Sequence, residues 1–270
     1  MESGYFGLFD RVLKNYPDIF EHVPFYHDRT VELYDRMMQA EDDYRVFVEQ
    51  VRHYGGPVLE LCSGSGRLTI PVLRQNVDVT AVDLSEDMLR SLREKLKGGS
   101  PGKYREHLEI VRADMMNLSL DQRYSLIIIG ATSIRLVEGD FASFFDSMYR
   151  LLLPGGELFF DFEDIPIPEG ETEKLEPMAA VDLPNQDNSF QMILFQRLLS
   201  YWEKRGYFNL MELDIGSRER QLISRTEYRI FGKDEIVEGA ERSRFGSCRI
   251  LPKFGSMYYC SMIKNENAVE

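Results

Sequence analysis

The sequence predicts an α/β fold: a doubly wound sheet of seven strands, with an N-terminal helical lid and an antiparallel β insertion after the fifth strand. Three observations carry that reading. Across residues 57–164, short apolar runs alternate with stretches of helical apolar spacing, the pattern of a parallel sheet joined by crossover helices. After Asp164 the alternation stops and long β-prone segments follow. Before Pro57, eleven aromatics fall within 54 residues, a density well above the 12% of the whole chain.

The elements follow in order. PVLELCS, from Pro57, is the first core strand; a glycine turn leads into the helical RLTIPVLRQN, and VDVTAVD, ending at Asp83, is the second strand. A helix over residues 85–96, a strand LEIVRAD ending at Asp114 and a strand YSLIIIGAT ending near Thr132 extend the series. A helix over residues 141–152, a turn at Pro154-Gly155-Gly156 and the strand ELFFDFED complete it. Residues 165–187, rich in proline and acids, read as a loop. FQMILFQRLLSYW, GYFNLMELDI and RQLISRTEYRIF, with turns at residues 204–206 and 216–219, form the antiparallel insertion. A helix from Lys233 to about Arg242 and two strands, SCRILPKF and SMYYCSMIKN, meeting at Gly255, close the fold. The expected division is a lid over 1–54, a core over 55–164, an acidic loop and insertion over 165–231, and closing elements over 232–270.

Composition limits the function. The 270 residues carry 45 acids against 32 Lys and Arg, a net charge of −13, which repels a polyanion and argues against nucleic acid as a partner. With 43% hydrophobic residues the chain can bury a full core. Cys62, Cys248 and Cys260 are too few and too scattered for a disulfide framework or a four-ligand zinc site, so no metal is expected. Neither a signal-peptide pattern in the first thirty residues nor a run of about 18 apolar residues occurs, so the expected location is cytoplasmic, away from the membrane.

A doubly wound sheet binds its ligands at the carboxyl ends of its strands. There, VLELCSGSGR (58–67) sets an acid, Glu60, in the first strand and places Gly64 and Gly66 before a helix, so that backbone can approach a ligand closely. A dinucleotide turn wants a third glycine where Thr69 stands, and would set Glu60 near a pyrophosphate; a phosphate loop wants Gly-Lys-Ser/Thr where Gly66-Arg67-Leu68 stands. A cofactor with a cationic amino-acid end and a ribose fits better: Glu60 can face an ammonium and Asp83 can accept from both ribose hydroxyls.

VLELCSGSGR, VDLSEDML, RADMMNL and LLLPGGELFF, in this order at successive strand ends, resemble the motifs of the class I methyltransferase family. The resemblance covers residues 51–164 and, more weakly, the two closing strands. It implies a Rossmann-like sheet and S-adenosyl-L-methionine as cofactor, with S-adenosyl-L-homocysteine as product. Glu60 would contact the methionine amino group, and the backbone of Cys62, Ser63, Gly64 and Gly66 would line the methionine moiety. Asp83 would bind the ribose, Leu84 and Met88 would flank the adenine, and Asp114 would bond its exocyclic amine with Met115 beside it. GATSIRLV would bring Gly130, Ala131, Thr132 and Arg135 to the methionine end, Thr132 as a member of the catalytic set and Arg135 as an organiser of Glu60 or as a salt bridge to the lid. Cys62 departs from the family, many members of which have glycine there.

For the acceptor, methyl transfer from a sulfonium needs chiefly a neutral nucleophile held near the methyl carbon. The four histidines, His22, His27, His53 and His107, show no metal spacing. An α-amine, with an ordinary pKa of about 8, releases its lone pair without a strong base. Asp161, at the end of the fifth strand, is expected to orient that amine or take its proton, with Glu163 beyond it. Phe20, Tyr26 and His27 of the lid are expected on the substrate, and Tyr34, in a Tyr34-Asp35 pair similar to one that touches the cofactor in small-molecule N-methyltransferases, in the catalytic set. The whole resembles natural-product N-methyltransferases: amino-sugar N,N-dimethyltransferases, or plantazolicin-type enzymes that dimethylate the amino terminus of an azole-containing peptide. A small-molecule O- or C-methyltransferase and a non-catalytic cofactor-binding protein are the alternatives. Residues 161–187 hold nine acids and one base, so −8 of the net charge falls there, at the expected rim of the site, where it would attract a cationic small molecule or modified peptide.

Overall fold

The computed structural model describes residues 4–38, 44–97, 104, 106–184, 190–215 and 221–266. In chain order these form α1 (Gly7–Asn15), β1 (Phe20–His22), α2 (Arg29–Met37), α3 (Tyr44–Tyr54), β2 (Val58–Leu61), α4 (Thr69–Leu73), β3 (Val79–Asp83) and α5 (Glu86–Lys95). Then come β4 (Leu108–Arg112), β5 (Tyr124–Ile129), α6 (Phe141–Leu151), β6 (Leu152–Glu163), β7 (Glu173–Leu175), β8 (Ala179–Pro184) and β9 (Phe190–Ser200). The series ends with β10 (Arg205–Ile215), β11 (Gln221–Arg229), α7 (Lys233–Arg242), β12 (Arg249–Phe254) and β13 (Met257–Ile263). They sort into two compact units: a core unit, Ala40–Pro166 with Phe231–Glu270, and a second unit, Met1–Gln39 with Ile167–Ile230.

The core unit holds a seven-stranded sheet in the order β12-β13-β6-β5-β2-β3-β4. β2 to β6 pair in parallel and β13 runs antiparallel to both its neighbours, so the expected doubly wound sheet is present. β5 shows why it is central. Its Ile127 and Ile129 pack with Phe141, Phe145 and Met148 of α6 and Ile236 of α7, while Leu126 and Ile128 pack with Phe47 of α3, Val72 of α4 and Leu92 of α5. A strand covered on both faces must be apolar at every position, and this one is buried almost throughout. Polar side chains fix where the helices start: Ser85 Oγ accepts from Met88 N–H at 3.3 Å to cap α5, and Asp164 Oδ1 accepts from Lys233 N–H at 2.7 Å at the start of α7.

The second unit has a sheet of six strands, β1-β11-β10-β9-β7, with β8 also on β9. The antiparallel β9-β10-β11 set is the insertion expected from sequence; its turn at residues 216–219 lies outside the described residues. α1 covers one face, where Phe9 packs on Met211 and Ile223; Leu33 of α2 packs with Ile193, Leu210 and Leu222 on the other. The alternation of the strands produces both faces, because residues next to each other in a strand point to opposite sides. Arg29 of α2 pairs with the buried Glu212 of β10 at 2.8 Å, and Gln191 of β9 bonds the same carboxylate.

Three sequence expectations are redrawn. The boundary at residue 54 moves to 39/40, because α3 turns Phe47 and Val51 into the core unit. The amino-terminal segment contains a strand as well as helices: β1 pairs in parallel with β11, Phe20 opposite Gln221. The acidic loop holds two strands, β7 and β8, both on the edge of β9, so proline and acids there mark short edge strands. Among the described residues, no helix is long and apolar enough to cross a membrane.

Candidate functional site

The core unit brings the expected ligand residues to the carboxyl ends of β2, β3, β4, β5 and β6. The turn after β2 is built on left-handed backbone: Cys62 at φ +54°, Gly64 at +56° and Gly66 at +91°. At Gly66 a Cβ would lie 2.4 Å from Leu92 Cδ1, so only glycine fits. At Gly64 a Cβ would meet only Met88 Sδ, at 3.9 Å, leaving its outer side open. The positive φ of Cys62 explains why glycine suits this position; the thiol packs against Met115, Sγ to Sδ 3.5 Å, and burial holds its pKa above the ordinary thiol range.

Asp83 ties this turn to α5. Its Oδ2 accepts from Gly64 N–H at 2.8 Å and its Oδ1 from Ser85 N–H at 2.8 Å. Burial raises its pKa, while the N–H groups of Ser85, Gly64 and Leu84 act in the opposite direction. Each carboxylate oxygen has a second lone-pair direction, so the carboxylate can hold the turn and still receive hydroxyls. Leu84, beside it, is 64% exposed, a large apolar side chain left open at a strand end, whereas Met88 is buried. Asp114 caps the short turn Met115–Asn117: Oδ1 accepts from Met116 N–H at 2.9 Å and Oδ2 from the Asn117 amide at 3.1 Å.

Glu60 differs from Asp83 and Asp114. It sits in β2, flanked by β3 and β5, 2% exposed, and its Oε2 is buried with no hydrogen-bond partner; the same holds for Ser63 Oγ. Burial pushes the Glu60 pKa up to about 8, with Thr69 and Arg67 pulling it down and Asp83 pushing it further up. Arg67 and Thr69, which follow the turn, are thus residues of this corner that the sequence motif did not single out. A buried carboxyl oxygen lacking a partner costs on the order of 1–3 kcal/mol, a penalty that a donor or cation arriving there would remove.

At the ends of β5 and β6 the acids are engaged. Asp161 is 1% exposed; its Oδ1 accepts from Thr132 N–H at 2.8 Å and its Oδ2 pairs with Lys253 Nζ at 3.0 Å. Ala131 and Thr132 both have positive φ, +54° and +56°, and Gly130 lies so close to Leu68 that a Cβ there would stand 2.3 Å from its Cδ1. Arg135 pairs with Glu163 at 3.2 Å, within the core unit. Asp161 therefore faces inward, and Lys253, far away in sequence, is its partner. Among the described residues, no group of three or more His, Cys, Asp and Glu is arranged to hold a metal.

The residues expected on the substrate lie in the second unit. Phe20 is corrected: it is 6% exposed and packs with Phe9, Met211 and Ile223, because β1 turns it into the core of that unit. Tyr26 and Tyr34 are half-buried and meet edge to face at 5.9 Å, and His27 is exposed. The charge reading changes as well. Of the nine acids in 161–187, Asp161, Glu163, Asp164 and Glu176 are tied to Lys253, Arg135, the start of α7 and Arg197. Glu169, Glu171, Glu173 and Asp182 are exposed in the second unit, and Asp187 lies outside the described residues.

Residues 58–156 match the family described as methyltransferase domain. YqeM of Bacillus subtilis (strain 168), a candidate methyltransferase by name, is 27% identical over 134 residues, 48% of this chain and 52% of that protein, so the chain spans about half the length of this curated relative. Among solved structures, the CcbJ methyltransferase from Streptomyces caelestis superposes with a TM-score of 0.69 at 21% identity, over 90% of this chain and 98% of that one. The glycopeptide N-methyltransferase MtfA, complexed with S-adenosyl-L-homocysteine, gives 0.60 at 21% identity over 96% and 98%. CalS10, an amino pentose methyltransferase from Micromonospora echinaspora, gives 0.63 at 13% identity over 87% and 98%. At such identities the structural likeness is one of fold: residues 58–156 match the methyltransferase-domain family, and the chain shares the α/β fold of these methyltransferases.

Proposed function

We propose that the chain transfers methyl from S-adenosyl-L-methionine to an amine of a natural product, either a cationic small molecule or a modified peptide. The observation that carries the reading is Glu60 Oε2, buried and unpartnered beside a glycine turn whose outer side is open at Gly64. These features fit the amino-acid end of the cofactor: Glu60 holds an ammonium by charge, Ser63 Oγ offers an acceptor and donor, and Gly64 lets the backbone come close. Asp83 receives the ribose hydroxyls, and Leu84, Met88, Asp114 and Met115 border the adenine. Bound there, the cofactor supplies an electrophilic methyl carbon.

An amine suits the acids of the core unit. Asp161, Glu163 and Asp164 are engaged by Lys253, Arg135 and Lys233, so a nucleophile that needs no strong base is favoured. A partly desolvated amine loses its proton readily, because burial disfavours the charged form. The Glu163–Arg135 pair and the Asp161 contacts hold the strand ends, a positioning role in place of the base role expected from sequence. Likeness in fold to a glycopeptide N-methyltransferase supports a modified-peptide acceptor, with the N-terminal α-amine of an azole-containing, plantazolicin-like peptide the first to test. Likeness to an amino pentose methyltransferase supports an amino sugar as the second reading. Tyr26, His27 and Tyr34 remain proposed acceptor or catalytic residues, tested by single substitution.

The deciding experiment offers the protein S-adenosyl-L-methionine with matched panels of peptide α-amines, amino sugars and phenols and follows mass gain. Methylation of amines with phenols untouched is expected; methylation of phenols alone overturns the reading.

A further inference from the structure

We propose that Lys253 is a positioning residue of the methyl-transfer site, acting through Asp161 to hold the Gly130–Arg135 loop; this rests on the methyltransferase reading above. β12 and β13 pair regularly from Arg249 opposite Ser261 to Pro252 opposite Tyr258, and the register then shifts between Pro252 and Phe254. Lys253 falls in that shift. Leu251, Tyr259 and Asp161 lie opposite one another and share a face, and Lys253, two residues on from Leu251, falls on that face. Its Nζ stands 3.0 Å from Asp161 Oδ2, with the lysine 10% and the aspartate 1% exposed, and 5.3 Å from the centre of the Tyr259 ring.

The other oxygen of Asp161 takes the Thr132 N–H at 2.8 Å. That amide belongs to a backbone that does not hold itself easily. Ala131 and Thr132 are consecutive non-glycine residues at positive φ, a conformation that persists only where its surroundings impose it. One carboxylate thus joins a cation on β12 to a strained amide at the end of β5, where the fold places the ligand. Lys253 orients the Asp161 carboxylate, and Asp161 transmits that orientation to the loop.

The test has two independent arms, hydrogen exchange of the loop and binding of S-adenosyl-L-homocysteine, on the unsubstituted chain, Lys253→Met, Lys253→Arg and Asp161→Asn. In Lys253→Met the amides of residues 130–135 exchange about tenfold faster or more and binding weakens about tenfold, the size expected for loss of one charged hydrogen bond. Lys253→Arg recovers both. Asp161→Asn keeps an oxygen for Thr132 and guards against a failure of Lys253→Met to fold; its loop exchanges faster as well, because the ion pair is gone. Unchanged exchange in both Lys253→Met and Asp161→Asn overturns the clamp. Faster exchange with unchanged binding, even with a lower Tm, shows a structural contact alone and overturns the positioning role. No binding by the unsubstituted chain overturns the methyltransferase reading, and exchange still decides the clamp.

Discussion

Two buried carboxylates in one sheet meet opposite fates. Glu60, in β2, has an oxygen that finds no partner, and burial lifts its pKa to about 8. Asp161, in β6, is as deeply buried, and both of its oxygens are satisfied, one by an amide and one by an ammonium. Burying a carboxylate is costly unless it is paired. The protein meets that cost internally at Asp161 and leaves it standing at Glu60. The orphaned oxygen alone does not mark a ligand site, since Glu157 of β6 is also buried with an unpartnered Oε2 but lies opposite Leu126, near the start of β5; what sets Glu60 apart is the open glycine turn beside it.

Substitutions break the comparison from either side. The largest effect is expected at Asp161. Asp161→Ala strands the buried Lys253 charge and frees the Thr132 amide, and stability measured by urea unfolding falls by about 3–5 kcal/mol. Glu60→Gln, by contrast, costs the unliganded fold nothing at neutral pH. The sign follows from the raised pKa. The protonated carboxyl is the form the fold tolerates, so the contribution of Glu60 is most favourable below its unfolded pKa and declines as pH rises to about 8. Glu60→Gln therefore gains stability relative to the unsubstituted chain as pH rises above about 4.5, and the gain levels off above about pH 8. It also loses S-adenosyl-L-homocysteine affinity by about tenfold to a hundredfold, the worth of one charged hydrogen bond. A loss of stability with ligand affinity intact would reverse the assignment of the two acids.

The smallest effect is expected at Cys62. Cys62→Gly relieves a left-handed backbone, worth about 1–2 kcal/mol, and gives up the buried thiol contact with Met115, of similar size, so the net change stays within about 1 kcal/mol. A much larger loss would mean that the sulfur, and not the backbone conformation, shapes the turn.

What was legible in the sequence follows the range of the forces involved. α7 begins at Lys233 and β12 and β13 meet at Gly255, as local periodicity and turn chemistry foretold. The glycine turn was readable because close approach and left-handed backbone select glycine at fixed spacing. β7 and β8 were hidden, since a short edge strand draws its stability from the strand it joins, here β9, and its own composition resembles a loop. Phe20 was misplaced for a related reason: three residues, Phe20–His22, carry no periodicity, and only pairing with β11 decides which way the ring points. Lys253 was invisible as a site residue. Its meeting with Asp161, 92 positions away, depends on β12 pairing with β13 and β13 with β6, which no local pattern encodes. Asp161 could be placed at a strand end, but not turned inward, without knowing its partner.

The central claim is that Glu60 waits for a cation, and calorimetry tests it directly. S-adenosyl-L-homocysteine is titrated into the protein at pH 7 in two buffers of different ionisation enthalpy. A carboxyl that is protonated when free and ionised against a bound ammonium must release its proton, so about one proton should leave per molecule bound, and affinity should rise about tenfold per pH unit up to about 8. Glu60→Gln should abolish the release. Binding without proton release, or the same release from Glu60→Gln, would contradict the account.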